Sequence, residues 1–202
     1  MFALIENQQI TKFYNGNKGV TLGDIQYPRS IFTLWSEAER NAIGIFEVTV
    51  DTTNKKDEQW YINTNVSYGV ESNKAVGSYG SATAKAHADT LYTAQDEIDG
   101  KGTEGEVATR GLKYNLIKTV KVQAANELAR TDWYIVRKAD AGTAVPSAII
   151  THRAAVRTKC AEMETAITNA SDTPALETLY TYTTNDAGIR SRPLGELPKL
   201  ES

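Results

Sequence analysis

The strongest constraint on the fold is a helical apolar stripe between Gly111 and Arg130. Its apolar residues recur at every fourth position, and no proline interrupts the segment. That spacing places them on one side of an α-helix and leaves the lysines on the solvent side. The stripe consists of Leu112, Leu116, Val120, Ala124 and Leu128. We therefore expect a helix that packs one face into a core.

A sharp bend and a helical hairpin are predicted to follow this helix. Thr131 and Asp132 compete for the backbone through their side chains, which favours a helix stop followed by a new start. Gly142 is placed to end the next helix in the left-handed conformation, and Pro146 suits the first turn of a third helix, Ser147 to Asn169. That helix has its own core-facing stripe: Ile149, Val156, Cys160, Met163 and Ile167.

The N-terminal part of the chain has the patterns of short strands and tight turns. Two hairpins are predicted over residues 2–13 and 20–27, and a strand over 45–50. Between them, Ser36 and Glu39 form the sequence signature of a capping box. The expected fold class is α+β, with a small N-terminal β-rich domain followed by a C-terminal helical-hairpin domain. The expected divisions are a β-rich domain at 1–70, a loop-rich connecting region at 71–110 with a possible helix over 82–93, a helical domain at 111–184, and an extended tail at 185–202.

Composition and charge exclude several functional classes. The chain has 202 residues, a formal net charge of −3 and one cysteine. We therefore expect no nucleic-acid partner and no disulfide framework. No apolar run approaches about 18 residues, so no membrane partner is expected. The first residues lack a basic segment followed by a long apolar run, so we expect folding in a cytoplasm.

No residue pattern for catalysis, a cofactor or a metal stands out. The two histidines, His87 and His152, lack cysteine or histidine neighbours at zinc-binding spacing. The acidic stretch 95–106 resembles a calcium loop in part, but Gln95 and Gly102 occupy positions that such a loop does not give to these residues. We expect no catalytic, cofactor-binding or metal-binding residues, and an enzyme is the least favoured class.

Candidate protein contacts cluster at the bend and in the tail. Trp133 either plugs the core between the hairpin arms, which we favour, or stands outward as an anchor. A basic cluster on the hairpin arms indicates either a solvated face with internal ion pairs or a docking patch. The leucines of the tail are expected to dock on a neighbouring subunit. The predicted contact residues are Trp133, Tyr134, Arg137, Arg153, Arg157, Leu194, Leu197 and Leu200.

The segment from Thr131 to Arg157 resembles a module of tailed-bacteriophage proteins. Thr131-Asp132-Trp133, Arg137, Gly142, Pro146, Arg153 and Arg157 resemble the "TDW…R…G…P…YR…LR" module of tail assembly chaperone-like and tail-fibre assembly-like proteins. His152 stands where the module has tyrosine, and Val156 where it has leucine. Residues 34–45 separately resemble the N-terminal segment of small phage tail proteins.

The resemblance implies no catalysis and no cofactor, and it suggests a role in tail assembly. We expect a structural component of a phage tail, an adaptor that attaches or positions tail or fibre proteins in the virion. The alternative is an assembly chaperone that is absent from the mature particle. The expected partners are other tail or fibre proteins and further copies of the chain in a symmetric homo-oligomer. The expected location is the virion tail, with host cytoplasm during assembly.

Overall fold

A computed structural model of the protein describes residues 1–200. The chain forms two compact units, Met1–Thr83 and Ala84–Ser202. Strands dominate the first unit and helices the second, which confirms the α+β fold class.

The first unit is built around a five-stranded sheet in the order β2-β1-β5-β8-β7. β5 and β8 pair in parallel, and the other neighbours are antiparallel. The strands of the first unit are β1 (Phe2–Glu6), β2 (Gln9–Tyr14), β3 (Val20–Leu22), β4 (Ile25–Tyr27), β5 (Ile45–Asp51), β6 (Tyr61–Ile62), β7 (Val66–Glu71), β8 (Lys74–Tyr79) and β9 (Thr83–Ala84). A 3-10 turn (Arg29–Phe32) and helix α1 (Glu37–Ala42) lie between β4 and β5.

Local sequence signals fix the start of the first unit. The β1–β2 turn places Asn7 and Gln8 at positive φ, as a tight hairpin requires. The predicted capping box is present. The Ser36 hydroxyl accepts a hydrogen bond from the Glu39 backbone amide, and the Glu39 carboxylate accepts one from the Ser36 backbone amide. A small core then closes over the sheet, formed by Val20, Ile31, Phe32 and Ile45.

The second unit is a helical body with one pair of short strands and a C-terminal β-hairpin. Its elements are β10 (Thr90–Leu91), α2 (Ala94–Ile98), β11 (Val107–Thr109), α3 (Leu112–Ala129), α4 (Asp132–Ala141), α5 (Ser147–Asn169), α6 (Thr173–Tyr180), β12 (Thr183–Thr184) and β13 (Arg190–Ser191). α3 packs mainly on α5. The predicted stripes supply buried side chains on both helices, including Val120, Val156, Met163 and Ile167.

Two predictions about the connecting region are wrong. The division between units falls at Thr83, not near residue 70, because β7 and β8 form a hairpin within the five-stranded sheet. The alanine-rich segment 82–93 is not a helix, since Thr90 and Leu91 pair with Thr109 and Val107. The helix begins after Thr93 instead, where the Thr93 hydroxyl accepts the Asp96 amide.

The predicted extended tail is partly folded onto its own unit. β12 and β13 form a hairpin across residues 183–191. After it, Leu194 is only 2% exposed, and its backbone amide donates to the Leu179 carbonyl. Residues 201–202 of the predicted tail lie outside the described residues. Over residues 1–200, no helix has the length and apolarity needed to cross a membrane.

Candidate protein-docking site

Helix α4 carries four successive large apolar residues at the surface of the second unit. It contains Trp133, Tyr134, Ile135 and Val136 in succession, yet none of its residues is buried. Trp133 is 50% exposed and Val136 is 65% exposed. Large apolar side chains that remain together at the surface of a folded chain mark sites of interaction. We therefore take α4 as the candidate site.

The aromatic residues at the start of α4 are held in a stack. The Trp133 and Tyr134 rings lie 3.8 Å apart between centroids at an angle of 31°. The Arg137 guanidinium lies 4.7 Å from the Trp133 ring centre and 5.5 Å from that of Tyr134. A cation over an aromatic face restricts both side chains before any partner arrives. The favoured prediction that Trp133 plugs the core is wrong, because half of its surface is open to solvent.

Arg153 of α5 is what holds the bend in front of α4. It is 8% exposed, and its Nη1 lies 2.7 Å from the Leu128 carbonyl oxygen and 2.7 Å from the Thr131 hydroxyl. The same nitrogen lies 2.8 Å from the Asp132 carboxylate. Arg153 thus ties the last turn of α3 to the first residue of α4. Since it is buried and engaged, it does not supply the outward contact that the sequence predicted.

The Thr-Asp-Trp sequence has a physical explanation in this junction. Thr131 is fully buried, and its hydroxyl donates to the Leu128 carbonyl while accepting from Arg153. The Asp132 carboxylate balances the charge of the Arg153 guanidinium at the exposed edge of the junction. With Thr131 buried and the Asp132 carboxylate held by Arg153, Trp133 remains exposed. The sequence does contain a signal for this role, because Arg153 is four residues after Ile149 and three before Val156, on the buried stripe of α5.

The other predicted contacts differ in accessibility. Arg137 and Arg157 are exposed, and Tyr134 is half-buried. Leu194 is buried in its own unit, so it is not available as a contact in this conformation. Leu197 and Leu200 are half-buried. They line shallow depressions with α3 and with the start of α5 respectively, which places the tail along its own helices.

The acidic loop after Thr93 satisfies its charges internally. Lys101 Nζ lies 3.1 Å from the Asp96 carboxylate and 3.0 Å from that of Asp99. Hydrogen bonds from Thr93, followed by the contact with Lys101, lower the pKa of Asp96 to about 2. Among residues 1–200 no group of histidine, cysteine and acidic side chains is arranged to hold a metal ion. The cation in this loop is therefore its own lysine.

We compared the chain with known protein families, curated proteins and solved structures. No family model, curated protein or solved structure matches the chain. The resemblance to phage tail assembly proteins thus remains a hypothesis that depends on residues 34–45 and 131–157 alone.

Proposed function

We propose that the chain is a structural, non-enzymatic component of a bacteriophage tail, an adaptor that positions other tail or fibre proteins through α4. The observation that carries the proposal is the exposed, preorganised Trp133 at the start of a helix with no buried residue. The resemblance of the surrounding residues to the tail assembly module supplies the biological setting. The location that follows is the virion tail, with host cytoplasm during assembly.

The chemistry of α4 indicates what the partner must offer. Tryptophan, tyrosine and arginine are the residue types that dominate the energetics of protein interfaces. Among the described residues Arg137 has no ion pair; its guanidinium only stacks on the aromatic rings. A partner with an apolar pocket for the indole and a carboxylate beside it would complement both groups. Such a pocket is a protein surface feature, which fits other tail or fibre proteins as partners.

The division into two units supports an adaptor rather than a minimal chaperone. The first unit has its own sheet and apolar core, and the second has its own helical core. Each unit can therefore present a separate surface to a separate neighbour. In a symmetric tail this arrangement would repeat with the copies of the chain.

Complementation of phage particles tests the proposal. Particles would be produced without the native gene product and supplied with wild-type, Trp133→Ala or Ile150→Ala protein. Ile150 is the matched control, since it is an apolar side chain of the same unit that is 55% exposed. Loss of an anchor tryptophan costs at least about 2 kcal/mol of binding, or roughly 30-fold in affinity.

We expect the wild type and Ile150→Ala to be found in purified particles at a fixed copy number, and Trp133→Ala to be depleted. Equal incorporation of Trp133→Ala would contradict the role of α4. A chain that is required for tail formation but absent from purified particles would instead identify an assembly chaperone.

A further inference from the structure

The first turn of α5 has hydrogen-bond donors for which residues 1–200 provide no acceptor. Pro146 is the N-cap residue and makes no side-chain cap, and the first turn contains no acidic residue. The Pro146 carbonyl accepts the amides of Ile149 and Ile150, whereas the amides of Ser147 and Ala148 have no partner in the described part of the chain. Free amides at the start of a helix, together with the helix dipole, attract an anion.

A buried histidine provides an independent indication of a ligand at the same place. His152, one turn after Ala148 on α5, is 9% exposed, and its Nε2 has no hydrogen-bond partner among the described residues. A buried polar atom without a partner costs free energy, so the imidazole requires a partner from outside residues 1–200. Side chains on a helix lean towards its N-terminus, which directs His152 towards the first turn. His152 also lines a depression of about 430 Å³ at this end of α5.

The lining of this depression contains several donors and no carboxylate. The hydroxyls of Ser147 and Thr151 make no hydrogen bond within residues 1–200, and the Lys199 ammonium makes no ion pair there. Donors gathered beside a positive charge suit a ligand with several acceptor oxygens and a negative charge. The full lining is Ser147, Ala148, Thr151, His152, Lys199 and Leu200.

We propose that the start of α5 is a binding site for a phosphate group, either as the free ion or as a monoester. A phosphate monoester has three acceptor oxygens and a carboxylate two, so phosphate matches a larger number of the donors. The free amides bind its oxygens, Lys199 balances its charge, and the His152 imidazole gains the partner that it lacks. This inference does not depend on the tail role, since it concerns the purified chain alone.

An NMR titration of the full chain with inorganic phosphate, at constant pH and ionic strength, tests the site. The amide signals of Ser147 and Ala148 and the imidazole signals of His152 should shift together and saturate with one dissociation constant, at or below about 1 mM. His87, the other histidine, is the internal control and should not follow this curve. The absence of saturation up to about 20 mM phosphate overturns the proposal.

Two variants connect the response to the proposed residues. His152→Phe keeps an aromatic ring and removes both nitrogens, and Lys199→Gln removes the ammonium. Each should weaken phosphate binding at least about fivefold. Lys199 is exposed, so its substitution keeps the test valid if His152→Phe does not fold. A dissociation constant that neither substitution changes overturns the proposal.

Lys118→Gln is the matched control, because Lys118 is an exposed lysine of α3 far from the start of α5. The α3 residue Lys121 binds Glu164, which lies about 25 Å along α5 from Ser147. Phosphate binding should therefore be unchanged in Lys118→Gln. A loss as large as that of Lys199→Gln would show a general effect of charge and overturn the proposal.

Three further measurements define the ligand. Acetate should bind at least about tenfold more weakly than phosphate, and equal binding would overturn the assignment to phosphate. Glycerol 3-phosphate supports a phosphate ester as the ligand if it binds as tightly as phosphate, and the free ion if it binds more weakly. Glu201 follows Leu200 in the sequence, so a phosphate response that is seen only in Glu201→Gln would overturn the proposal, because the chain would then supply its own anion.

Discussion

Replacing Arg153 with alanine should destabilise the helical unit, although arginines are usually surface residues. Arg153 is 8% exposed, and it joins the Leu128 carbonyl and the Thr131 hydroxyl to the Asp132 carboxylate. The substitution would remove all three contacts at once and leave a cavity beside the bend. The end of α3 and the start of α4 would then lose their common anchor on α5.

The contacts of Arg153 determine how much unfolding free energy the Arg153→Ala substitution removes. A hydrogen bond to a charged group contributes about 1.5–3 kcal/mol where it is buried. The ion pair adds about 1 kcal/mol at most, because the Asp132 side chain is 57% exposed. Thr131 keeps one bond after the substitution, to the Leu128 carbonyl at 3.0 Å. We therefore expect Arg153→Ala to lower the free energy of unfolding by about 2–4 kcal/mol.

Urea unfolding followed by the far-ultraviolet circular dichroism of the helices measures this difference. The matched control is Arg157→Ala, one turn further along α5. Arg157 is exposed, and among residues 1–200 its one hydrogen bond is a long one of 3.4 Å to the Arg153 carbonyl. We expect a change below about 0.5 kcal/mol for the control. Equal effects of the two substitutions would refute the assignment of Arg153 to the junction.

Three further outcomes follow from burial and charge. Ile149→Ala should cost about 2–5 kcal/mol of unfolding free energy and Ile150→Ala less than about 1 kcal/mol, because the adjacent side chains are 6% and 55% exposed; urea unfolding of the pair checks this. Trp133→Ala should change stability by less than about 1 kcal/mol, and a thermal melt displaced as far as that of Ile149→Ala would show the indole to be a core residue. The Asp96 carboxyl should titrate in NMR with a pKa of about 2, below its ordinary value of 3.8. Its stabilising contribution is then complete above pH about 4 and lost as the pH falls towards about 2. Lys101→Ala should move that pKa upward, and an unchanged value would exclude the ion pair as a cause.

Elements specified by local chemistry were predictable from the sequence. The Asn7-Gln8 turn, the Ser36 capping box and the Gly142 helix end all depend on side chains or φ values within a few residues. The buried stripes of α3 and α5 were predictable for the same reason, since one periodicity determines one face.

Elements specified by tertiary contacts were missed. The segment around Gly77 has the composition of a loop, yet it is β8 of the central sheet. A Cβ at Gly77 would lie 2.8 Å from side-chain atoms of Val66 and Tyr68, so glycine is needed there for strand packing rather than for a turn. Neighbouring strands supply that requirement, and a single segment does not reveal it.

The orientation of Trp133 was misjudged from the sequence, because the structure leaves the side chain 50% exposed. Whether the Trp133 side chain is buried or exposed depends on which side chain occupies the interior of the bend between α3 and α4. Arg153, 20 residues further along the sequence, fills it by bonding Thr131. A charged side chain on an apolar stripe is the residue that local patterns describe least well, because its burial depends on partners elsewhere in the fold.

Hydroxyl-radical footprinting of purified particles tests the central claim most directly. In the free chain Trp133 is 50% exposed and Trp60 is 3% exposed, so the radical should oxidise the first and spare the second. If the chain is a resident tail adaptor that docks through α4, mass spectrometry of oxidised particles should find the chain with Trp133 protected. A chain present in particles with Trp133 oxidised as fast as in the free protein, or absent from particles altogether, would contradict the account.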